Sequence, residues 1–268
     1  MVPTSAPQAR AIDIDRPCAA RIHNAFLGGS HNFGIDRTFA EQLENELPGI
    51  TETYRESRAF LHRTVEHLIT LGVRQFVDFG SGTPTIGHIH EIAVRYTRDF
   101  RVLYSDNEPL TVAFSRDLLA RQPTAEIVEA DCRRPEAVLD SPQAAELIDL
   151  TQPIAFVFSS VLHFIADHDD PAGLMAHYRD HIPAGSYLVI SHLTDHYDPE
   201  PARVLADRYA NTADPVHVRS TAHIDGFFGD FEILAPGTGR LPDWRPEPGQ
   251  RSCQQKYHLL HGGVARKP

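Results

Sequence analysis

An acid and two glycines at the end of an apolar run give this sequence its first candidate chemistry. Residues 76–79, Phe-Val-Asp-Phe, are β-prone, and Gly80, Ser81 and Gly82 follow directly, before a helical spacing of apolar residues that starts at Ile86. A buried strand that passes through a glycine turn into a helix leaves backbone N–H groups open to a ligand, with the Asp78 carboxylate beside them. The segment predicts half of a nucleotide-type binding site, although such a turn also forms without a ligand.

Later apolar runs also end in polar residues, near 106, 131, 160 and 192. Asp106 follows Gly80 at close to the ~20-residue spacing at which a carboxylate binds ribose hydroxyls. The carboxyl ends of parallel strands meet at one edge of an open α/β sheet, where ligands bind. The further candidate residues at this edge are Asn107, Asp131, Cys132, Ser159, Ser160 and His163.

Helical patterns alternate with these strands and predict an α/β, doubly wound parallel sheet. The predicted helices cover residues 20–27, 52–71, 109–121, 141–150, 171–181 and 199–211. Near the end of the chain, strands predicted at 231–234 and 256–260 are joined by a Pro/Gly-rich loop at 235–250 with no helix. The last strand is therefore expected to run antiparallel to its neighbour.

The first 50 residues form a predicted helical extension, and residues 51–268 form the main domain. Within the extension, Arg21 and Asn24 precede a Gly28-Gly29 pair, and Asp36 is suited to capping the next helix. Two interpretations stay open: a lid that closes over a ligand, or a helix pair that only packs on the sheet. Arg58 lies on the helix that leads into the first strand, so it faces either solvent or the site.

Composition limits the classes of partner and compartment. The chain has 268 residues and a formal net charge of −11, which disfavours nucleic acid as a partner. Cys18, Cys132 and Cys253 are far apart and read as free thiols, which predicts a cytoplasmic protein. No apolar stretch reaches the ~18 residues of a membrane span, so no membrane association is expected.

Three other chemistries fit the sequence less well. No metal site is expected, because His88 and His90 lie two positions apart and so point to different faces of a helix. No Gly-x-Ser-x-Gly motif is present for a serine hydrolase. An NAD-dependent oxidoreductase would need a third glycine where Thr85 stands.

The chain resembles the class I S-adenosylmethionine-dependent methyltransferases in Asp78-x-Gly80-x-Gly82, Asp106 and Asp131. It resembles more closely an actinobacterial S-adenosyl methyltransferase family of unassigned substrates. The matching stretches are Arg21-x2-Asn24-x2-Leu27-Gly28-Gly29-x2-Asn32-x3-Asp36-Arg37, residues 76–85, Val161-Leu162-His163-Phe164, and residues 262–268. The resemblance implies a Rossmann-like seven-stranded sheet with an antiparallel last strand, and methyl transfer from S-adenosylmethionine to a small molecule.

The resemblance also implies roles for the candidate residues. Gly80, Ser81 and Gly82 would approach the amino-acid part of the cofactor, with Asp78 near its ammonium group. Asp106 would bind the ribose, Asp131 and the Cys132 N–H the adenine, and Ser159 and Ser160 the methionine moiety. Arg21 or Arg58 would pair with the cofactor carboxylate.

His163 is placed either as a general base or as a ring that packs under the adenosine. A cofactor-binding sensor without catalysis is a further alternative, because no residue is unmistakably catalytic. Oligomeric state is left open.

Overall fold

The computed structural model describes residues 12–83, 87–246 and 256–268, and its centre is a mostly parallel sheet. Predictions for Pro84, Thr85, Ile86 and Cys253, and for the end of the 235–250 loop, lie outside these residues. The strands of the described residues are β1 (Gln75–Phe79), β2 (Arg101–Asp106), β3 (Ala125–Glu129), β4 (Ala155–Ser159), β5 (Tyr187–Leu193), β6 (Glu232–Ile233), β7 (Gly239–Arg240) and β8 (Leu260–Arg266).

The strand order β3-β2-β1-β4-β5-β8-β6 confirms the predicted doubly wound topology. Strands β1 to β5 run parallel, and β8 runs antiparallel to β5. The two-residue strand β7 also pairs with β8 and brings the described sheet to eight strands, one more than expected.

The last strand lies further along the chain than the sequence suggests. A strand was expected at 256–260, whereas β8 covers Leu260–Arg266. The sequence gives no strand signal at Gly262 and Gly263, because glycine has low β-propensity. A Cβ atom at Gly262 would lie 2.3 Å from the Ile190 carbonyl oxygen, so this strand needs a glycine to approach β5.

Ten α-helices surround the described sheet. They are α1 (Ala19–Phe26), α2 (Gly34–Glu46), α3 (Thr51–Thr70), α4 (Ile89–Ala93), α5 (Pro109–Leu119), α6 (Pro135–Leu139), α7 (Pro142–Leu147), α8 (Pro171–His181), α9 (Pro199–Tyr209) and α10 (Thr221–Gly226). Helices α5 to α9 each begin with a proline, whose fixed φ and missing N–H suit the first helical position. The helix predicted at 141–150 ends at Leu147, and α6 and α10 were not predicted.

Alternate residues of the central strands enter two separate cores. Phe76 and Val157 pack with α3, α4 and α5, whereas Val77 and Phe158 pack with α7, α8 and α10. The sheet is therefore covered on both faces. A third cluster joins the N-terminal helices to α9 through Ile22, Leu43, Leu205 and other apolar residues.

A buried guanidinium fastens the N-terminal extension to the sheet. Arg21 donates from Nε to Asp36 (2.9 Å) and from Nη1 to Glu108 (3.0 Å), and from Nη2 to the carbonyl oxygens of Asp13 and Arg16. Asp36 is fully buried and accepts the backbone N–H of Phe33 at the start of α2. This ion network connects α1, α2 and the β2–α5 connection.

Replacing Arg21 is expected to destabilise the whole fold. Arg21→Met leaves the buried carboxylates of Asp36 and Glu108 without their cation, which costs ~3–5 kcal/mol of unfolding free energy. Urea denaturation measures this loss. In the matched control Arg203→Met, an exposed arginine with ion pairs on α9 is lost, and we expect almost no change. Equal effects of the two substitutions would contradict the assignment.

Candidate functional site

A cavity of about 900 Å³ lies at the carboxyl edge of the sheet. Its walls come from the ends of β1, β2, β3 and β4, from α1, α3 and α9, and from the segment 213–217. Most of the sequence-predicted candidate residues line it: Arg58, Asp78, Gly80, Ser81, Gly82, Asp106, Asn107, Asp131, Cys132, Ser159, Ser160 and His163. The topology thus gathers strand ends that are far apart in sequence.

The glycine turn after β1 has no space for a side chain at its first position. Gly80 has a φ of 63°, a region that favours glycine, and a Cβ atom there would lie 2.2 Å from Val161 Cγ2. Ser81 donates its N–H to the Ser105 carbonyl oxygen (3.0 Å), which ties the turn to β2. A side chain at position 80 would therefore push β4 and β1 apart.

Asp106, the last residue of β2, is oriented by two backbone donors. Gly82 N–H and Glu108 N–H each lie 2.9 Å from one of its carboxylate oxygens. Burial raises the pKa of Asp106 to about 6, although these two hydrogen bonds oppose the shift. Each oxygen keeps a lone pair for a hydroxyl donor.

Asp78 and Arg58 form the second charged part of the site. Burial raises the pKa of Asp78 to about 7, with the Asp106 carboxylate adding to the shift and the Arg58 guanidinium opposing it. Burial lowers the pKa of Arg58 in turn. The Nε atom of Arg58 is buried and has no hydrogen-bond partner within the described residues. This nitrogen is an unused donor that a ligand anion would satisfy.

The Asp131 carboxylate is held by the Arg133 guanidinium. Arg133 donates to it from Nε (3.0 Å) and Nη2 (2.6 Å) and also reaches Asp169 (3.1 Å). The Arg133 hydrogen bond offsets the effect of burial and keeps the pKa of Asp131 below its ordinary value. A ligand donor that approaches Asp131 must share the carboxylate with Arg133.

The two serines at the end of β4 lie where the strand turns tightly: Ser159 is its last residue and Ser160 follows it. Ser160 has a φ of 56°, an unfavourable region for a serine, and its N–H donates to the Ser191 carbonyl oxygen (3.1 Å). Its hydroxyl lies 2.9 Å from the Ser57 hydroxyl of α3. These bonds hold the connection and Ser159 against the cavity.

His163 lines the cavity, but its hydrogen bonding opposes the role of general base. Leu193 N–H lies 3.3 Å from Nδ1, so Nδ1 accepts and the neutral ring carries its proton on Nε2. Burial, together with the positive charge of Arg219, lowers the pKa of His163 to about 3. A ring in this state donates a hydrogen bond and has little affinity for a second proton.

Arg21 and Asn24 do not face the cavity, contrary to the sequence-based expectation. The Arg21 guanidinium is occupied by the ion network described above. The Asn24 oxygen accepts His31 N–H (2.9 Å) and Asn32 Nδ2 (2.8 Å), which holds the turn after α1. The cavity-lining residues of α1 are Ala19, Ala20 and His23. The sequence shows which residues of α1 are polar, but the direction of their side chains depends on partners far along the chain.

Helix α3 contributes a cavity face that the sequence analysis did not assign. Tyr54, Ser57, Arg58 and Leu61 follow a spacing of three or four residues and all line the cavity. The sequence indicates this face, because residues three or four positions from Arg58 on a helix lie on the same side as Arg58. Tyr209 and the segment 213–217 carried no such signal, because only the tertiary fold brings them to the site.

Metal ligation and membrane insertion find no support in the described residues. They contain no group of three or more His, Cys, Asp or Glu side chains arranged to hold a metal ion. Within the same ranges, none of the helices is long and apolar enough to span a membrane.

Comparison with known proteins connects this geometry to a family. A family model for S-adenosyl methyltransferases matches residues 5–268. The chain belongs to the S-adenosyl methyltransferase family. S-adenosylmethionine is the methyl donor of this enzyme family. No curated protein matches the chain.

Solved structures agree with the assignment. A candidate methyltransferase from Thermobifida fusca is 34% identical, with a TM-score of 0.88 and coverage of 95% of this chain and 97% of that chain. A DUF574 family protein from Streptomyces avermitilis is 33% identical, with a TM-score of 0.89 and coverage of 96% and 100%. The plantazolicin methyltransferase BpumL, solved with S-adenosylhomocysteine, shares the fold at 12% identity and a TM-score of 0.52, with coverage of 93% and 96%.

The cavity residues fit this cofactor. The turn is open beside Gly82, where a Cβ atom would meet only Ala20 Cβ at 4.0 Å, the unpartnered Arg58 Nε suits a carboxylate, and Asp106 has lone pairs for ribose hydroxyls. The NAD-dependent alternative finds no support, since the family and the antiparallel β8 are those of methyltransferases.

Asp78 is expected to make the ligand-free protein less stable as pH rises. Its folded pKa lies above the ordinary value, so the native state favours the protonated form, and ionisation costs stability between about pH 4 and pH 7. Asp78→Asn removes this cost. Its gain in unfolding free energy over the wild type should be roughly 1–3 kcal/mol larger at pH 8 than at pH 5.

Urea denaturation at the two pH values measures the difference. Asp117→Asn, on an exposed face of α5, is the matched control and should show no such dependence. A gain at Asp78 that stays constant or shrinks as pH rises would contradict the inferred burial of charge.

Proposed function

We propose that this methyltransferase transfers the methyl group of S-adenosylmethionine to a small-molecule acceptor bound in the same cavity. The observation that carries the proposal is the continuity of this cavity. It runs from the carboxyl edge of the sheet to a wall formed by α1, α3 and α9. Its volume of about 900 Å³ lies within the usual range for small-molecule sites.

Each cavity residue has a role in this proposal. Asp106 binds the ribose hydroxyls, while Asp131 and the Cys132 N–H face the adenine, with Asn107 beside Asp131. The turn 80–82 and the serines 159–160 border the methionine part, where Asp78 faces the ammonium and Arg58 the carboxylate. The cofactor supplies an electrophilic methyl group when bound, and the protein positions the acceptor and excludes water.

The N-terminal extension, residues 1–50, acts as the cap of this site in the proposal, and residues 51–268 form the methyltransferase domain. Ala19, Ala20 and His23 of α1 form part of the cavity wall, which supports the cap. The polar groups of Arg21 and Asn24 hold the cap in place and do not contact the cofactor. A cytoplasmic, actinobacterial enzyme is consistent with Cys18 and Cys132, neither of which forms a disulfide bond among the described residues, and with the sources of the relatives.

Asp106→Asn is expected to weaken cofactor binding without unfolding the protein. The amide keeps the shape of the side chain but replaces one acceptor oxygen with a donor, which costs ~1–3 kcal/mol of binding free energy. Isothermal titration with S-adenosylhomocysteine measures the affinity, and Asp117→Asn serves as the matched control. Undiminished affinity of the Asp106 variant would refute this role, and absence of binding to the wild type would refute the proposed function.

The proposed pairing of Arg58 with the cofactor carboxylate can be tested with a ligand that lacks this carboxylate. We expect Arg58→Gln to weaken S-adenosylhomocysteine by at least about 10-fold, since a buried charge-assisted hydrogen bond is lost. Binding of methylthioadenosine, which lacks the amino-acid moiety, should stay the same. Arg55→Gln, an exposed position on the same helix, is the control. Equal losses for both ligands would place Arg58 away from the carboxylate.

A further inference from the structure

One part of the cavity wall is lined by apolar and aromatic side chains to which the cofactor roles above assign nothing. They are Tyr54 of α3, Phe164, Leu205 and Tyr209 of α9, and Val216. We refer to these five residues as the aromatic chamber. Their apolar parts belong to the cluster that also joins α1 and α2 to α9. Any inference about this chamber rests on the proposed function, because it requires that the cofactor binds beside the glycine turn and Asp106.

The rings of the chamber are held by ring contacts with their neighbours. Tyr54 stacks on Phe26 of α1 with centroids 4.0 Å apart and planes 13° from parallel. Tyr209 meets Phe39 edge to face at 5.1 Å and lies 6.0 Å from Phe164. Rigid aromatic walls of this kind favour a flat aromatic ligand, which gains stacking contacts beyond its burial.

The two phenols of the chamber form a donor pair. The hydroxyl oxygens of Tyr54 and Tyr209 lie 3.0 Å apart, so one donates to the other and the second phenolic proton is left for a ligand. Burial raises the pKa of Tyr54, and that of Tyr209 well above its ordinary value, so both stay protonated at neutral pH. The pair thus offers a hydrogen-bond donor and no anion.

His163 adds a second donor beside Phe164. Its Nδ1 accepts Leu193 N–H, so the neutral ring presents Nε2–H. A further imidazole of the cavity wall, His23 of α1, is kept neutral because burial lowers its pKa to about 3, helped by the charge of Arg58. The rings of His23 and His163 and the two phenols are thus neutral polar groups of this wall.

The carboxylates that face the cavity are committed elsewhere. Asp214 accepts Ala19 N–H (2.8 Å) at the start of α1, where the helix dipole already compensates its charge. Asp78 lies at the glycine turn, on the cofactor side. The five residues of the chamber themselves therefore offer a cationic acceptor phenol groups and apolar surface but no carboxylate.

We propose that the aromatic chamber binds the methyl acceptor, and that this acceptor is a flat aromatic molecule with a proton-free hydrogen-bond acceptor, either a carboxylate or a ring nitrogen. The Tyr54–Tyr209 pair and His163 Nε2–H orient that group. In the transfer, an acceptor lone pair that these donors do not engage forms the bond to the methyl carbon, while the C–S bond of the sulfonium breaks and its electron pair stays on sulfur. An attacking atom that carries no proton needs no base, in keeping with the poor basicity of His163.

The test uses the full-length protein saturated with S-adenosylhomocysteine and a set of probes of one shape. These are naphthoate, quinoline, methylnaphthalene, naphthylmethylammonium and the fully saturated analogue of naphthoate. Ligand-observed NMR gives each affinity. We expect naphthoate or quinoline to bind at least about 5-fold more tightly than the other three probes, since each lacks a hydrogen bond, a stacking surface or a compatible charge. Comparing naphthoate with quinoline identifies which acceptor group is used.

The double variant Tyr54→Phe/Tyr209→Phe removes both phenolic donors and keeps both rings. It should lose the preference for naphthoate or quinoline over methylnaphthalene while binding S-adenosylhomocysteine as before. Tyr187→Phe, at a buried position of β5 outside the cavity, is the matched control. Three results would overturn the proposal: tighter binding of the ammonium or saturated probe, an unchanged preference in the double variant, or no probe binding to cofactor-loaded protein. Failure to bind S-adenosylhomocysteine at all would instead remove the proposed function.

Discussion

The architecture of this site depends on one buried chain of charge-assisted hydrogen bonds. It starts at Arg21 in the extension, passes to Glu108, and continues through the Glu108 N–H to Asp106 and from Asp106 to the Gly82 N–H. Glu108 also caps α5 through the Thr111 N–H (2.5 Å). The position of the cap and the orientation of the ribose-facing carboxylate are therefore set by the same network. A displacement of α1 would therefore be transmitted through three hydrogen bonds to the glycine turn.

Such a network combines stabilising and destabilising contributions. Buried ion pairs recover the cost of desolvation only when their geometry is good, and Arg21 has four partners to achieve this. Asp78 and Asp106 have raised pKa values and stay costly to ionise in the ligand-free protein. The buried carboxylates at the strand ends thus lower the stability of the fold, whereas the Arg21 ion network of the extension raises it. This division is common where a site must hold charge for a ligand.

The strand ends of this fold that carry a local sequence pattern could be predicted from the sequence. A β-prone run that ends in an acid or a glycine is a local pattern, and the ends of β1, β2 and β4 lie where it predicted. The last strand was misplaced because Gly262 and Gly263 lack β-propensity, and their place is set by close contact with β5. The direction of Arg21 depends on Glu108, far along the chain. The protonated nitrogen of His163 depends on Leu193 N–H. Tertiary contacts of this kind are not encoded in spacing.

The buried thiol of Cys132 follows β3 in the cavity wall and has a consequence for kinetics. Burial raises its pKa to about 12, and its side chain is 9% exposed. At neutral pH the reactive thiolate is therefore the minor form, and we expect alkylating reagents to modify this sulfur slowly while the wall is closed. When the wall recloses faster than the reagent reacts, the modification rate reports the equilibrium fraction of the open state. The Cys132 sulfur is thus a natural probe of how far the cavity wall opens in solution.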